Sequence, residues 1–240
     1  MAVNVNNVYQ KVLALANKEQ RGYITPQEFN YFADIAQLEI FENYLHDLKT
    51  AHLKPTKNED FIDEIDMLRD RASLHHVDAA ITHVSSNAFT LPTDVYALIS
   101  LSLSGRKLEE IKNIDEYTRL TLNPKTSPQA LGDNTGGVFY RNEGQVVVYA
   151  TNNDGTLAGS SAVPFASYYK KPDTPDWGYV VINGKALYNS ATSTNFDLHE
   201  SEENNLVMRI LELSGITLKD QVLTETALRD QAKTKAEKNN

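Results

Sequence analysis

The hydrophobic residues of this chain repeat with helical spacing at both ends and with strand spacing in the middle. Near the N-terminus, Val5, Val8 and Val12 follow one another at three- and four-residue steps. In mid-chain, the segment 99–103 alternates apolar and polar residues. A period that changes in this way predicts an α+β fold. We expect N-terminal and C-terminal helices to form a helical bundle, with an antiparallel β-lobe in mid-chain.

The segment Thr25-Pro26-Gln27-Glu28 is the clearest start of a helix in the sequence. A threonine N-cap, a proline at the first helical position and a glutamate at the third form a capping box. The helix is expected to end near Leu48, and its apolar residues form two stripes on roughly opposite sides. The first stripe contains Phe29, Phe32, Ala33, Ala36, Ile40 and Tyr44. The second contains Tyr31, Ile35, Leu38 and Leu45.

A helix that is apolar on most sides is normally buried on most sides. The helix that begins after Thr25 is therefore either a central core helix or a core helix whose second stripe meets a neighbouring subunit. Both interpretations remain open at the level of the sequence.

Spacing and turn residues predict the remaining elements. Further helices are expected over 5–19, 58–74 and 115–122 and after residue 195. Gly215 is expected to break or kink the last of these, before a second helical segment from Leu218 to about Glu237. Hairpins are expected at Asn142-Glu143-Gly144 and at Asn183-Gly184. An exposed loop is expected over 123–137 and a polar docking tail after Leu228. We divide the chain into an N-terminal helical part (1–75), a β-rich lobe (76–195) and C-terminal helices with the tail (196–240).

No combination of residues predicts catalysis, and we expect no catalytic residue, cofactor or metal site. The chain has no cysteine, which excludes disulfides and thiolate chemistry. We interpret His75, His76 and His83 as surface polar residues rather than metal ligands. A net charge of −9 argues against tight binding to nucleic acid phosphates. No apolar run approaches the ~18 residues of a membrane span.

The segment YYKKPDTPDWGYVVINGKALYN, residues 168–189, is unusually rich in aromatic residues. Tyrosine and tryptophan are enriched in interfaces because they bury a large area and keep a polar tip. The segment therefore predicts a contact surface on a hairpin, and its alternative is a lobe that packs only its own core. The candidate interface residues in this segment are Tyr168, Tyr169, Trp177, Tyr179 and Tyr188.

Three segments together carry a family resemblance: VYQKVLALANKEQRGYITPQEFNYFADIAQLEIFENYLHDL, YYKKPDTPDWGYVV and FDLHESEENNLVMRILELSGI. In this order they resemble the head-to-tail connector proteins of short-tailed and crAss-like bacteriophages, which are adaptors or ring proteins stacked beneath the portal. The likeness covers both ends and the β-rich middle, with residues 105–137 matching loosely.

The resemblance implies a structural virion protein at the portal–tail junction and not an enzyme. It implies a homo-oligomeric ring of about twelve copies around the channel for double-stranded DNA, which the ring encloses without specific binding. It also implies that the polar tail docks on the portal, an adjacent ring or a tail protein. The alternative function is a phage tail protein whose β-lobe binds a host surface glycan.

Overall fold

The structure is a computed structural model, and it describes residues 2–18, 24–53, 59–85, 87–103, 105–122, 137–149 and 163–215. The chain forms two compact units, one made of residues 1–74 and 172–240 and the other of residues 75–171. The predicted mixed α+β class is confirmed. The division differs from the predicted one, because residues 172–195 belong with the helical ends of the chain rather than with the β-rich lobe.

The first unit contains four helices in its described residues: α1 (Val5–Lys18), α2 (Pro26–Leu53), α3 (Glu59–Ser73) and α5 (Glu203–Leu213). The capping box of α2 is formed, since the Thr25 backbone N–H donates to Glu28 Oε2 over 2.9 Å. In return, the Glu28 N–H donates to Thr25 Oγ1 over 3.3 Å. At the other end of the chain, Gly215 follows α5 with a φ of 73°, the left-handed conformation expected beyond a helix end.

One hydrophobic core is shared by α1, α2 and α5, and α5 contacts both of the other helices. The first stripe of α2 faces this core, because every one of its residues is buried there or packed against it. Phe29, Ala33 and Ala36 are fully buried, as are Leu206 and Ile210 from α5. The helical spacing of these residues in the sequence therefore identified the buried side of each helix.

The second unit is built on an eight-stranded sheet with the order β1-β8-β4-β5-β6-β7-β3-β2. Its strands are β1 (His76–Ala80), β2 (Thr82–Ser85), β3 (Ala88–Thr90), β4 (Val95–Leu103), β5 (Arg106–Glu110), β6 (Val138–Asn142), β7 (Gln145–Tyr149) and β8 (Phe165–Lys170). Helix α4 (Ile114–Leu122) lies between β5 and β6 in the chain. Because β5 and β6 pair in parallel, the sheet is mixed rather than wholly antiparallel as predicted.

Strands β9 (Tyr179–Ile182) and β10 (Lys185–Tyr188) form a separate two-stranded antiparallel sheet, which we call the ribbon. Asn183 and Gly184 form its turn with φ values of 52° and 75°. Two consecutive positive φ values are those of the two-residue turn that Asn-Gly predicts. The ribbon belongs to the first unit.

Most of the predicted loop 123–137, the predicted helical segment 218–237 and the whole tail after Leu228 lie outside the described residues.

Candidate interaction surfaces

Trp177 anchors the ribbon in the core of the first unit. Trp177 is 2% exposed, and its ring centroid lies 4.2 Å from that of Tyr9. The ring of Tyr179 stacks against it at 5.8 Å, and the ring of Tyr188 lies at the same distance in a tilted orientation. The Trp177 Nε1–H donates to Asn6 Oδ1 over 3.0 Å. This corrects the expectation that Trp177 faces a neighbouring subunit, because its own chain already covers its ring.

Two polar side chains of α2 fix the backbone on either side of the ribbon. Asn30 Oδ1 accepts the Trp177 backbone N–H over 2.8 Å. Gln37, which is 1% exposed, donates from Nε2 to the Asp173 carbonyl and accepts the Asp197 backbone N–H, both over 2.8 Å. A buried amide with both ends paired orients the segments it joins, because leaving either end unpaired costs about 1–3 kcal/mol. The sequence pattern of α2 did not predict a role for either residue.

Gly178 sits at the base of the ribbon in a space that admits no side chain. A Cβ added there would lie 2.2 Å from Thr192 Oγ1 and 2.8 Å from the Thr192 carbonyl carbon. The Gly178 backbone N–H donates to Ser193 Oγ over 3.0 Å. The ribbon therefore leaves the core from a tightly packed base.

The two faces of the ribbon have different environments. Directly opposite residues of an antiparallel pair share a face, and successive residues alternate between faces. One face carries Tyr179, Val181, Ala186 and Tyr188. Of these four residues, Tyr179 and Ala186 pack against the core. The other face, which we call the ribbon face, carries Val180, Ile182, Lys185 and Leu187.

The ribbon face presents three aliphatic side chains to solvent. Val180 is 47% exposed, Ile182 53% and Leu187 49%. Burying apolar area of this kind is worth roughly 25 cal/mol per Å², so the face favours contact with another apolar surface. The sequence contains the signal for this face, because the three residues occupy alternate positions of the predicted strands. The interface prediction chose the aromatic residues, and of these Tyr179 is half-buried and Tyr188 is exposed beside Trp177.

The second stripe of α2 is divided by the structure. Tyr31 is 67% exposed, and Ile35 and Leu38 are half-buried. Leu45 is only 8% exposed, so it is covered by its own chain and the prediction that it meets a neighbouring subunit is wrong. We call the three accessible residues, Tyr31, Ile35 and Leu38, the α2 stripe.

Acidic groups surround the α2 stripe. Glu39 is paired with Arg209 of α5, with Oε2 2.5 Å from Nε, and this hydrogen bond lowers the pKa of the Glu39 carboxyl. The remaining acids of this part of the helix are exposed or half-buried: Glu28, Asp34 and Glu42. The stripe is therefore apolar at its centre and negative at its border.

The candidate residues of the second unit, Tyr168 and Tyr169, are adjacent on β8 and differ in burial. Tyr168 is 2% exposed, and its hydroxyl donates to Asp94 Oδ1 over 3.1 Å. Burial, together with this carboxylate, raises the pKa of the Tyr168 hydroxyl. Tyr168 is thus a core residue of the sheet, whereas Tyr169 is half-buried on the opposite face near His76.

Three tyrosines of the second unit stack on one another. The rings of Tyr117 and Tyr149 lie 3.8 Å apart at an interplanar angle of 17°, and Tyr140 follows at 6.3 Å from Tyr149. Helix α4 has no buried residue, and the Tyr117 ring joins that helix to Tyr149 of the sheet. Stacked rings cover one another's faces in part, and all three tyrosines are half-buried.

The three histidines of the sequence cluster differ in burial. His75 is fully buried, in contrast to the predicted surface position, while His76 is exposed and His83 half-buried. Across the described residues, no group of three or more histidine, cysteine, aspartate or glutamate side chains is placed to hold a metal ion. Within the same residues, no helix has the length and apolar character needed to cross a membrane.

A cavity of about 320 Å³ in the first unit is lined by residues of α2, α3 and α5 and by the turn before α5. Its floor holds a salt bridge of 3.0 Å between Arg71 and Glu202, and Glu202 is only 6% exposed. Burial and the nearby Glu202 carboxylate raise the pKa of the Tyr44 hydroxyl. Arg71 and Glu202 neutralise each other, so the carboxylate in this cavity is paired.

Comparison with known proteins adds no relative. No protein-family model matches the chain, and no curated protein is significantly similar to it. The two apolar surfaces, the ribbon face and the α2 stripe, and the family resemblance of the sequence are therefore the features that indicate a function.

Proposed function

We propose that this protein is a structural ring subunit, or adaptor, of a bacteriophage head-to-tail connector. The observation that carries the proposal is the ribbon face, where three aliphatic side chains stay about half exposed on a hairpin that Tyr179 and Ala186 of the opposite face attach to the core. A subunit whose function is contact needs an apolar surface on a fixed support. The helical ends would form the bundle that supports the ribbon.

The connector function requires a channel through which DNA passes without sticking. A wall poor in fixed positive charge suits this task, because phosphate binding depends on lysine and arginine. The net charge of −9 supports this part of the proposal. We propose that the ring contains about twelve copies and encloses double-stranded DNA without specific binding.

The proposed partners are the portal and an adjacent ring or tail protein, and the proposed location is the portal–tail junction of the virion. The polar tail after Leu228 is the segment that we expect to dock on one of these partners, because a segment without a core of its own can order on binding.

The test is to image the purified full chain by negative-stain electron microscopy, alone and mixed with its cognate portal. Rings, either free or seated on the portal, are the expected result. A monomer that does not bind the portal would overturn the proposal. A trimer that ignores the portal would favour the glycan-binding alternative.

A further inference from the structure

We infer that the ribbon face of one copy packs against the α2 stripe of the next copy, in a heterologous contact that joins two different surfaces. The inference deepens the proposed ring assembly and rests on it. It assigns the contact to two defined surfaces of the first unit, the ribbon face (Val180, Ile182, Lys185 and Leu187) and the α2 stripe (Tyr31, Ile35 and Leu38).

The two surfaces are separate parts of the same unit. The base of the ribbon is held at Asn30, which accepts the Trp177 N–H. Successive residues of an α-helix are about 100° apart around its axis, so Tyr31 points about 100° away from Asn30. The next stripe residues, Ile35 and Leu38, stay within about 40° of Tyr31 on the same helix. A heterologous contact requires two different surfaces on each copy, and the ribbon face and the α2 stripe supply them.

The charges of the two surfaces are complementary. Lys185 is the only charged residue of the ribbon, and it lies on the ribbon face beside Ile182. The α2 stripe is bordered by three acidic side chains, and α2 carries no lysine, arginine or histidine before His46. Opposite potentials across an interface set its register and suppress wrong pairings.

The same charges disfavour a symmetric contact. Two ribbon faces packed together would bring two Lys185 side chains to one interface, and two α2 stripes would bring together two copies of Asp34 and Glu42. Like charges placed opposite each other are destabilising. The ribbon face therefore fits the α2 stripe of another copy better than it fits itself.

A photo-crosslink on the full chain tests the inference. Because the chain has no cysteine, Ile182→Cys provides a unique attachment point for a benzophenone maleimide. Val181→Cys is the matched control, since it is the adjacent residue on the opposite face and is 61% exposed. The label should be placed on an isotopically light copy, mixed with heavy unlabelled copies under the conditions that give rings, and irradiated. Mass spectrometry then identifies the crosslinked peptides.

We expect the label at position 182 to reach heavy peptides from residues 26–53, at least about tenfold more often than the label at position 181 does. A contrary result would be rings that form normally while the label at position 182 crosslinks to the portal, to residues 216–240 or to a second ribbon. That result would overturn this inference and leave the proposed function standing. Absence of any oligomer for the unmodified protein, with or without portal, would overturn both.

Charge reversal gives a second readout that does not depend on the label. Lys185→Glu and Glu42→Lys should each weaken assembly by about twofold to fivefold, the range of exposed ion pairs. The double variant should return to within about twofold of the natural protein, because opposite charges again face each other. If the double variant loses as much assembly affinity as the two single variants do when their losses are added, Lys185 and Glu42 do not pair.

Discussion

Replacement of Trp177 by alanine should detach the ribbon from the core of the first unit. The substitution removes the ring contacts at 4.2 Å with Tyr9 and at 5.8 Å with Tyr179 and Tyr188. It also removes the donor that Asn6 Oδ1 accepts over 3.0 Å. Ribbon residues would then lose their attachment, because a two-stranded hairpin is at best marginally stable in water.

The expected magnitude follows from these contacts. Truncation of a buried tryptophan costs about 3–5 kcal/mol, and a side-chain oxygen left without its donor adds about 1 kcal/mol. The sum, about 4–6 kcal/mol, is comparable to the whole free energy of unfolding of a small domain. Ile182→Ala is the matched control on the outward face, where substitutions usually change stability by less than about 0.5–1 kcal/mol.

Hydrogen exchange measured by mass spectrometry can localise the effect. Because Trp177 is the only tryptophan, its removal also removes the natural fluorescence signal of unfolding, so urea unfolding should be followed by circular dichroism. We expect peptides covering α1 and the ribbon to exchange about a thousandfold faster in Trp177→Ala, which corresponds to about 4 kcal/mol. A loss below about 1 kcal/mol, or an equal loss in Ile182→Ala, would refute the assignment of inward and outward faces.

Three other predictions concern the supports of this arrangement. Gly178→Ala should lower the free energy of unfolding by about 1–3 kcal/mol in urea titrations, because the added Cβ meets the Thr192 backbone at 2.8 Å, and an unchanged midpoint would contradict the packing described. Gln37→Leu should destabilise the first unit by about 1–3 kcal/mol, because it removes the hydrogen bonds of a buried amide to the Asp173 carbonyl and from the Asp197 N–H, whereas a neutral effect in the same titration would show that water replaces the amide. The pKa of Glu28 is lowered by hydrogen bonds from the Thr25 backbone and hydroxyl. Since the folded pKa lies below the unfolded one, this stabilisation is complete above the unfolded pKa and is lost as the pH falls through the folded pKa. Thr25→Ala should raise the Glu28 pKa in an NMR titration only in part, because it removes the hydroxyl donor and keeps the backbone N–H, which is the larger cause. An unmoved value would exclude the hydroxyl hydrogen bond as a cause of the lowered pKa.

Short-range signals were the reliable part of the sequence. The capping box at Thr25 and the turn at Asn183-Gly184 were both predicted and formed, since each depends on hydrogen bonds or backbone angles within a few residues. The α2 helix extends to Leu53 rather than Leu48, because helix ends depend on contacts beyond the local pattern. The short strands β1 to β3 were missed. Strand β1 pairs with β8 and strand β3 with β7, and both of these partners lie far away in the chain. Strand β2 was missed although it pairs with the adjacent β3.

The candidate surfaces show the same division more sharply. The sequence by itself determined that residues 179–188 form a hairpin and that α2 has apolar residues on most sides, because periodicity and turn chemistry act locally. Only the tertiary structure decided that Trp177 turns inward and that Val180, Ile182 and Leu187 turn outward. That choice depends on the bond between Trp177 and Asn6, which are separated by 171 positions in the chain. No local pattern records a partner at that distance, so the face that a hairpin buries is settled only when the two ends of the chain pack together.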